Sequence, residues 1–167
     1  DILQKFKDQK KPKIIINNYG LSNKNRELSL CQFTESSSST LSEINRESKY
    51  FKRKLKILKI KEENLFFKKI PIKIITLDNF IDNKKIDTID ILKIDTEGYE
   101  YNILRGIHKL DFKKIRYIYF EHHYDLMIDK KYKFHDINKL LKEHNFSLKY
   151  KLKMKFRKSF EYIYESN

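Results

Sequence analysis

Thr88-Ile89-Asp90-Ile91-Leu92-Lys93-Ile94-Asp95-Thr96-Glu97-Gly98-Tyr99-Glu100 is the stretch whose reading decides the fold. Ile89, Ile91, Leu92 and Ile94 form an apolar run with few breaks, the pattern of a strand buried on both faces in a parallel sheet. The run stops at Asp95-Thr96-Glu97-Gly98. A helical stripe follows, with Tyr99, Ile103, Ile107 and Leu110 on one face. Two carboxylates therefore stand where a buried strand hands over to a helix. In open α/β sheets, ligands bind at the carboxyl ends of the strands.

Working outward, Ile70–Leu77 reads as an earlier strand, and Asp78 as the cap of a short helix running to about Asp82. Ile115–Phe120 reads as a second buried strand that ends in Glu121-His122-His123. Tyr132–His144 carries the helical stripe Phe134, Ile137, Leu140 and Leu141, with Asn145 as its stop. Phe146–Leu152 and Ser159–Tyr164 read as a terminal hairpin. From residue 74 onward, strands alternate with helices, which implies right-handed crossovers and a parallel sheet. Upstream, Lys13–Asn17 reads as a short strand before the turn Asn18-Tyr19-Gly20, and Glu27–Phe33 as another. Ser36–Thr40 reads as a serine-rich surface connector, with a lip over a site as the alternative, Leu41–Tyr50 as a helix, and Phe51–Ile60, where Lys alternates with Leu and Ile, as an exposed strand or part of an insertion. Residues 1–12 are polar and basic, a frayed tail or the end of a helix. The expected organisation is one domain over residues 1–167.

The chain has 167 residues, 40% of them hydrophobic and 36% charged, and a formal charge of +14. This is a globular balance rather than a disordered one. The lysines are scattered rather than gathered in a block, which argues against nucleic acid as the partner. Ile is the default core residue and Lys the default surface residue, and the sequence contains neither Ala nor Val. Cys31 is the single cysteine, so an intrachain disulfide and a two-cysteine metal motif are both excluded. A lone thiol suits a reducing compartment, and the expected location is cytoplasmic. No apolar run approaches the roughly 18 residues of a membrane span, and no signal peptide is visible.

Asp95 is the strongest candidate for chemistry, because a carboxylate directly after Ile94 is costly unless something pairs with it. Glu97 sits two residues on. Glu121 and His122, at the end of the next strand, would share one rim with both. Such a rim can bind a divalent ion or supply a general base to a hydroxyl, although the spacing matches no metal signature, and no metal is expected. Glu100 reads as a structural acid in the first helical turn and Thr96 as its N-cap. His123 reads as a surface residue, and His108 and His144 as ordinary. No Gly-x-Gly or phosphate-cradling loop is present.

Ile75-Thr76-Leu77-Asp78-Asn79-Phe80, the central Asp90–Glu100 segment, Leu104-Arg105-Gly106 and Phe120-Glu121-His122 together resemble the FkbM family of methyltransferases. That family carries T-L-D-x-F, D-x-L-K-I-D-x-E-G-x-E, L-x-G and E-H in this order. The resemblance runs over roughly residues 14–125. It implies a class I, S-adenosylmethionine-dependent fold: an α/β Rossmann-like three-layer sandwich, mostly parallel, with an antiparallel C-terminal hairpin. It further implies methyl transfer to oxygen on a sugar, glycolipid or secondary-metabolite acceptor. Asp95, Glu97, Glu121 and His122 fall on family positions at the rim, with Asp95 as base, acceptor orienter or metal ligand. The strand, glycine-rich turn and acidic residue that hold the cofactor in this fold have no counterpart here. The chain therefore reads as the C-terminal part of such a domain and is expected to bind S-adenosylmethionine poorly by itself. The competing readings are a non-catalytic module that holds an anionic glycan, lipid or nucleic acid, and, more distantly, a metal-dependent hydrolase.

Overall fold

The structure is a computed structural model that describes residues 14–34, 39–62, 65–155 and 157–167. The expected basic tail and most of the serine-rich connector lie outside the described residues. Among the described residues, ten strands and five helices follow in order: β1 Gly20–Leu21, β2 Arg26–Phe33, β3 Ser39–Thr40, β4 Glu43–Ile44, α1 Lys49–Ile57, β5 Phe67–Ile75, α2 Leu77–Lys84, β6 Ile89–Ile94, α3 Glu100–Leu104, α4 Lys109–Phe112, β7 Ile115–His123, β8 Ile128–Asp129, α5 Phe134–Glu143, β9 Phe146–Lys153 and β10 Ser159–Ser166.

The strands do not form the single, mostly parallel sheet expected from the alternation. They form one sheet in the order β1-β5-β2-β3, a second in the order β6-β7-β10-β9, and a two-stranded β4-β8 ribbon. Among the described residues only β1–β5 and β6–β7 pair in parallel. The other pairings are antiparallel. The alternation of strand and helix is real between β5 and β7, but β5 takes β2 as an antiparallel neighbour and β7 takes β10, the second strand of the terminal hairpin, so the parallel pairing does not extend. The hairpin itself is found as expected, with a bulge at Ile163/Tyr164.

β6 departs from its reading as a strand buried on both sides. Among the described residues only β7 borders it, and Ile91 is 63% exposed. Ile94, at its end, is buried with Ile118, Phe120, Tyr162 and Tyr164 of the sheet and with Ile137 and Leu141 of α5. Those α5 residues are the i, i+4 pair of its apolar stripe. Asn145, with φ 64, ends that helix in the left-handed region that asparagine tolerates.

Residues 51–57 are helical rather than extended. Ser48 Oγ accepts the Phe51 N–H at 3.1 Å and starts α1. Phe51 is then fully buried against Phe66, with Leu55 one turn on against the same cluster. Local Lys-Leu-Lys-Ile alternation fits two periods, and the cap together with the i, i+4 apolar pair decides for the helix. The helix after β6 is likewise split into α3 and α4, with Ile107 buried between them and Leu110 73% exposed. Residues 14–17 form no strand.

Two family-motif residues explain themselves in packing. Thr76, not Asp78, caps α2, through its Oγ1 and the Asn79 N–H at 3.2 Å. Gly106 lies against backbone: a Cβ there would stand 2.4 Å from Ser22 O and 2.6 Å from Asn23 Cα. Gly106→Ala should therefore push α3 away from the β1–β2 turn and destabilise the fold by about 1–3 kcal/mol. Urea denaturation checks this, and an unchanged midpoint would contradict the contact.

Candidate functional site

The turn after β6 is built before it is functional. Glu97 has φ 50 and Gly98 φ 96, two successive residues in left-handed backbone. For Glu97 this conformation is strained, and surrounding contacts must hold it. Thr40 Oγ1 donates to Glu97 O, and Ser42 Oγ donates to Gly98 O, both at 2.8 Å. Glu100, with no exposed surface, holds the turn from below. Its carboxylate accepts the Gly98 N–H at 2.8 Å, the Thr96 hydroxyl at 3.1 Å and the Tyr132 hydroxyl. Thr96 thus serves Glu100 rather than capping α3, which starts at Tyr99 without a side-chain cap.

This turn meets the end of β7. The parallel register pairs Ile94 with Phe120, which sets Asp95 alongside Glu121 at the carboxyl ends of both strands. Glu97 Oε2 lies 3.1 Å and Glu121 Oε1 3.4 Å from His123 Nε2, while Asp125 Oδ2 lies 3.5 Å from His123 Nδ1. All four side chains are between 10% and 16% exposed. His123 Nε2 and Glu121 Oε1 are buried and complete no hydrogen bond, so the ledge holds polar atoms with capacity to spare. Asp95 stands at the outer margin, about half exposed, with Lys93 Nζ 3.3 Å away.

His122 is not on this ledge. β7 continues to His123, so Glu121 and His123 share one face and His122 takes the other. There it is 3% exposed, among the rings of Tyr124, Tyr132 and Phe134. These residues wall a cleft of about 530 Å³ that also reaches His123, Asp125 and Lys130. The reading that stopped the strand at Phe120 missed His123. Glu121 plus two is the signal for it, once the strand is carried three residues further. Asp125 had no sequence signal, because it reaches His123 from a loop.

Burial and charge push the neighbouring histidines apart. His122 is driven down to about 4 by burial, then by the charges of Lys130 and His123. Burial also disfavours charge on His123, but its hydrogen bond to Asp125 and the carboxylates of Glu97 and Glu121 outweigh that and raise it above 6.5. Glu97 is raised above 4.5, chiefly by burial. His123 and Arg157 oppose the shift, and Glu121 and Asp95 add to it. Asp125 is held below 3.8: burial works against this, but His123, the Met127 N–H and Lys130 prevail. The ledge is thus an acid-rich cluster around one imidazole.

Residues 4–148 match the methyltransferase FkbM domain. The chain belongs to the FkbM methyltransferase family. Members are S-adenosylmethionine-dependent methyltransferases, and the Rossmann-like fold class follows from membership. Comparisons with curated proteins and with solved structures gave no match. The FkbM match covers the ledge from both sides, since β6, its turn and β7 all fall inside it. No helix among the described residues is long and apolar enough to cross a membrane.

Proposed function

We propose that this FkbM chain methylates a hydroxyl of a sugar, glycolipid or secondary-metabolite-type acceptor, with the ledge of Asp95, Glu97, Glu121 and His123 as its proton-handling centre. The observation that supports this most is the convergence of Glu97 and Glu121 on His123 where β6 and β7 end. S-adenosylmethionine supplies the methyl electrophile. As the acceptor oxygen gains a methyl group its proton becomes strongly acidic, so a carboxylate is base enough to take it. Glu97 takes that proton in this proposal. It sits on the rim in a fixed turn, and burial keeps it more basic than an ordinary carboxylate. His123 holds Glu97 in place through Nε2, and Asp125 orients the imidazole through Nδ1. Asp95, outermost of the four, is placed to orient the acceptor. The cleft lined by His122, Tyr124, Tyr132 and Phe134 gives that acceptor an aromatic wall.

No Gly-x-Gly turn exists in the chain. Gly20, Gly98 and Gly106 are each packed against protein atoms. No residue is therefore assigned to S-adenosylmethionine, and the chain should hold it weakly. Calorimetric titration checks this, with micromolar affinity as the contradicting result.

The function itself is tested at millimolar S-adenosylmethionine carrying a labelled methyl group, offered with monosaccharides, glycolipids and phenols. Label recovered in an ether supports the reading. Label recovered only on nitrogen or carbon, or on none of the three classes, overturns it.

A further inference from the structure

Asp78 in the first turn of α2, His108 just ahead of α4 and Asp111 within α4 each present a donor atom to one point. The three donors lie within 4.8 Å of one another. His108 Nδ1 is 3.1 Å from Asp78 Oδ2. Both carboxylates are buried, Asp78 at 7% and Asp111 at 9% exposure, whereas the imidazole is 85% exposed. Nothing in the proposed methyl transfer uses these residues.

We propose that Asp78, His108 and Asp111 bind a divalent transition-metal ion of the zinc type, which fastens α2 to the segment between α3 and β7. Two carboxylate oxygens and one imidazole nitrogen form a donor set for such a borderline ion, whereas calcium and magnesium favour oxygen alone. Ligand bonds of about 2.0–2.2 Å set two donors on one tetrahedral ion roughly 3.3–3.6 Å apart. His108 Nδ1 and Asp78 Oδ2, at 3.1 Å, already stand that close, so the remaining adjustment is between this pair and Asp111. Two buried carboxylates this close to each other call for positive charge. Part of it is already present: Lys114 Nζ lies 3.0 Å from Asp111 Oδ1, leaving the second oxygen of that carboxylate for the ion. Asp78 accepts the His108 backbone N–H at 3.1 and 3.2 Å, which fixes the carboxylate against the start of α4. A cleft of about 300 Å³ opens over the group, with Asn23, Asn25 and Asp82 in its wall, and admits water to the remaining coordination positions.

The place in the fold argues for a structural ion. α4 leads into Ile115, the first residue of β7, while the proposed proton-handling ledge is at Glu121–His123, its last. At about 3.3 Å per residue, most of the strand's length separates the two.

The test is zinc titration of the protein after chelator treatment and dialysis, by calorimetry and by thermal unfolding. One ion should bind per chain, and the unfolding temperature should rise by about 5–10 °C at a hundredfold excess over Kd. His108→Ala keeps the backbone N–H that Asp78 accepts and removes only an exposed ring, so it should fold as before. It should lose at least tenfold in zinc affinity, together with the thermal shift. Absence of saturable zinc binding by the wild type, or equal affinity in His108→Ala, would overturn the proposal. Neither result bears on methyl transfer.

Discussion

Glu97→Gln should lower methyl-transfer turnover by about 10²–10⁴-fold, the range in which a positioned proton acceptor contributes. The substitution keeps the shape of the side chain and its reach toward His123. It removes the negative charge and the capacity to take the hydroxyl proton. Because the strain at φ 50 belongs to the backbone, and Thr40 holds that backbone through the Glu97 carbonyl, the turn should survive. The loss should therefore fall on kcat, with KM for the acceptor little changed. The pH profile gives a second reading. Glu97 must be ionised to accept a proton, so wild-type activity should climb with pH through a midpoint above 4.5, on the side to which burial moves this group. In Glu97→Gln that limb should be lost. A variant with wild-type turnover would move the proton acceptor elsewhere on the ledge, with Glu121 as the next candidate.

Glu100→Ala should be among the most damaging substitutions for stability. The carboxylate is wholly buried and receives Gly98 N–H, Thr96 Oγ1 and Tyr132 OH. Removing it leaves the Gly98 and Tyr132 donors without their acceptor, at about 1–3 kcal/mol each, so a total on the order of 4 kcal/mol is expected. Tyr132→Phe removes one donor and leaves Glu100 with two, and should cost distinctly less. Urea denaturation of both variants checks the order. Equal losses would mean that the turn is held by Thr40 and Ser42 rather than from below. The same substitution should disturb activity, because the turn that Glu100 holds is the one that presents Glu97.

Much of the region from β5 to β10 was legible because it consists of apolar runs with one period each. The α5 stripe and the hairpin stand where the sequence places them, and the strand begun at Ile115 does too, although it runs on to His123. Their apolar faces meet a single core around Ile118, Phe120 and Tyr162, so local pattern and packing agree. Where two periods fit the same letters, the reading failed. Lys54-Leu55-Lys56-Ile57 alternates like a strand, yet Phe51, one helical turn before Leu55 and buried with it, decides for a helix. Sheet membership was not readable at all. β5 pairs with β1 and β2 rather than with β6, a choice that depends on contacts made across the fold.

The candidate ledge was legible in outline and wrong in one parity. Asp95 stands out in the sequence because a carboxylate directly after a buried strand residue needs a partner, and Glu97 and Glu121 because they fall beside it at strand ends. The partner, His123, was passed over for His122 because the strand was ended three residues early, and in a β-strand a shift of one position changes the face. Asp125 and Tyr124 stand in the loop directly after β7, and Tyr132 and Phe134 stand before and at the start of α5, where no periodic pattern announces them.

The claim that Glu97, Asp125 and His123 act as one charged unit is tested most directly by NMR titration of the histidine ring protons. His122 and His123 would be assigned from their single substitutions. The account predicts that the neighbours separate, with His122 titrating near 4 and His123 above 6.5. It also predicts that Glu97→Gln lowers the His123 midpoint. A His123 that titrates at or below 6.5 and ignores the loss of the Glu97 charge would contradict it.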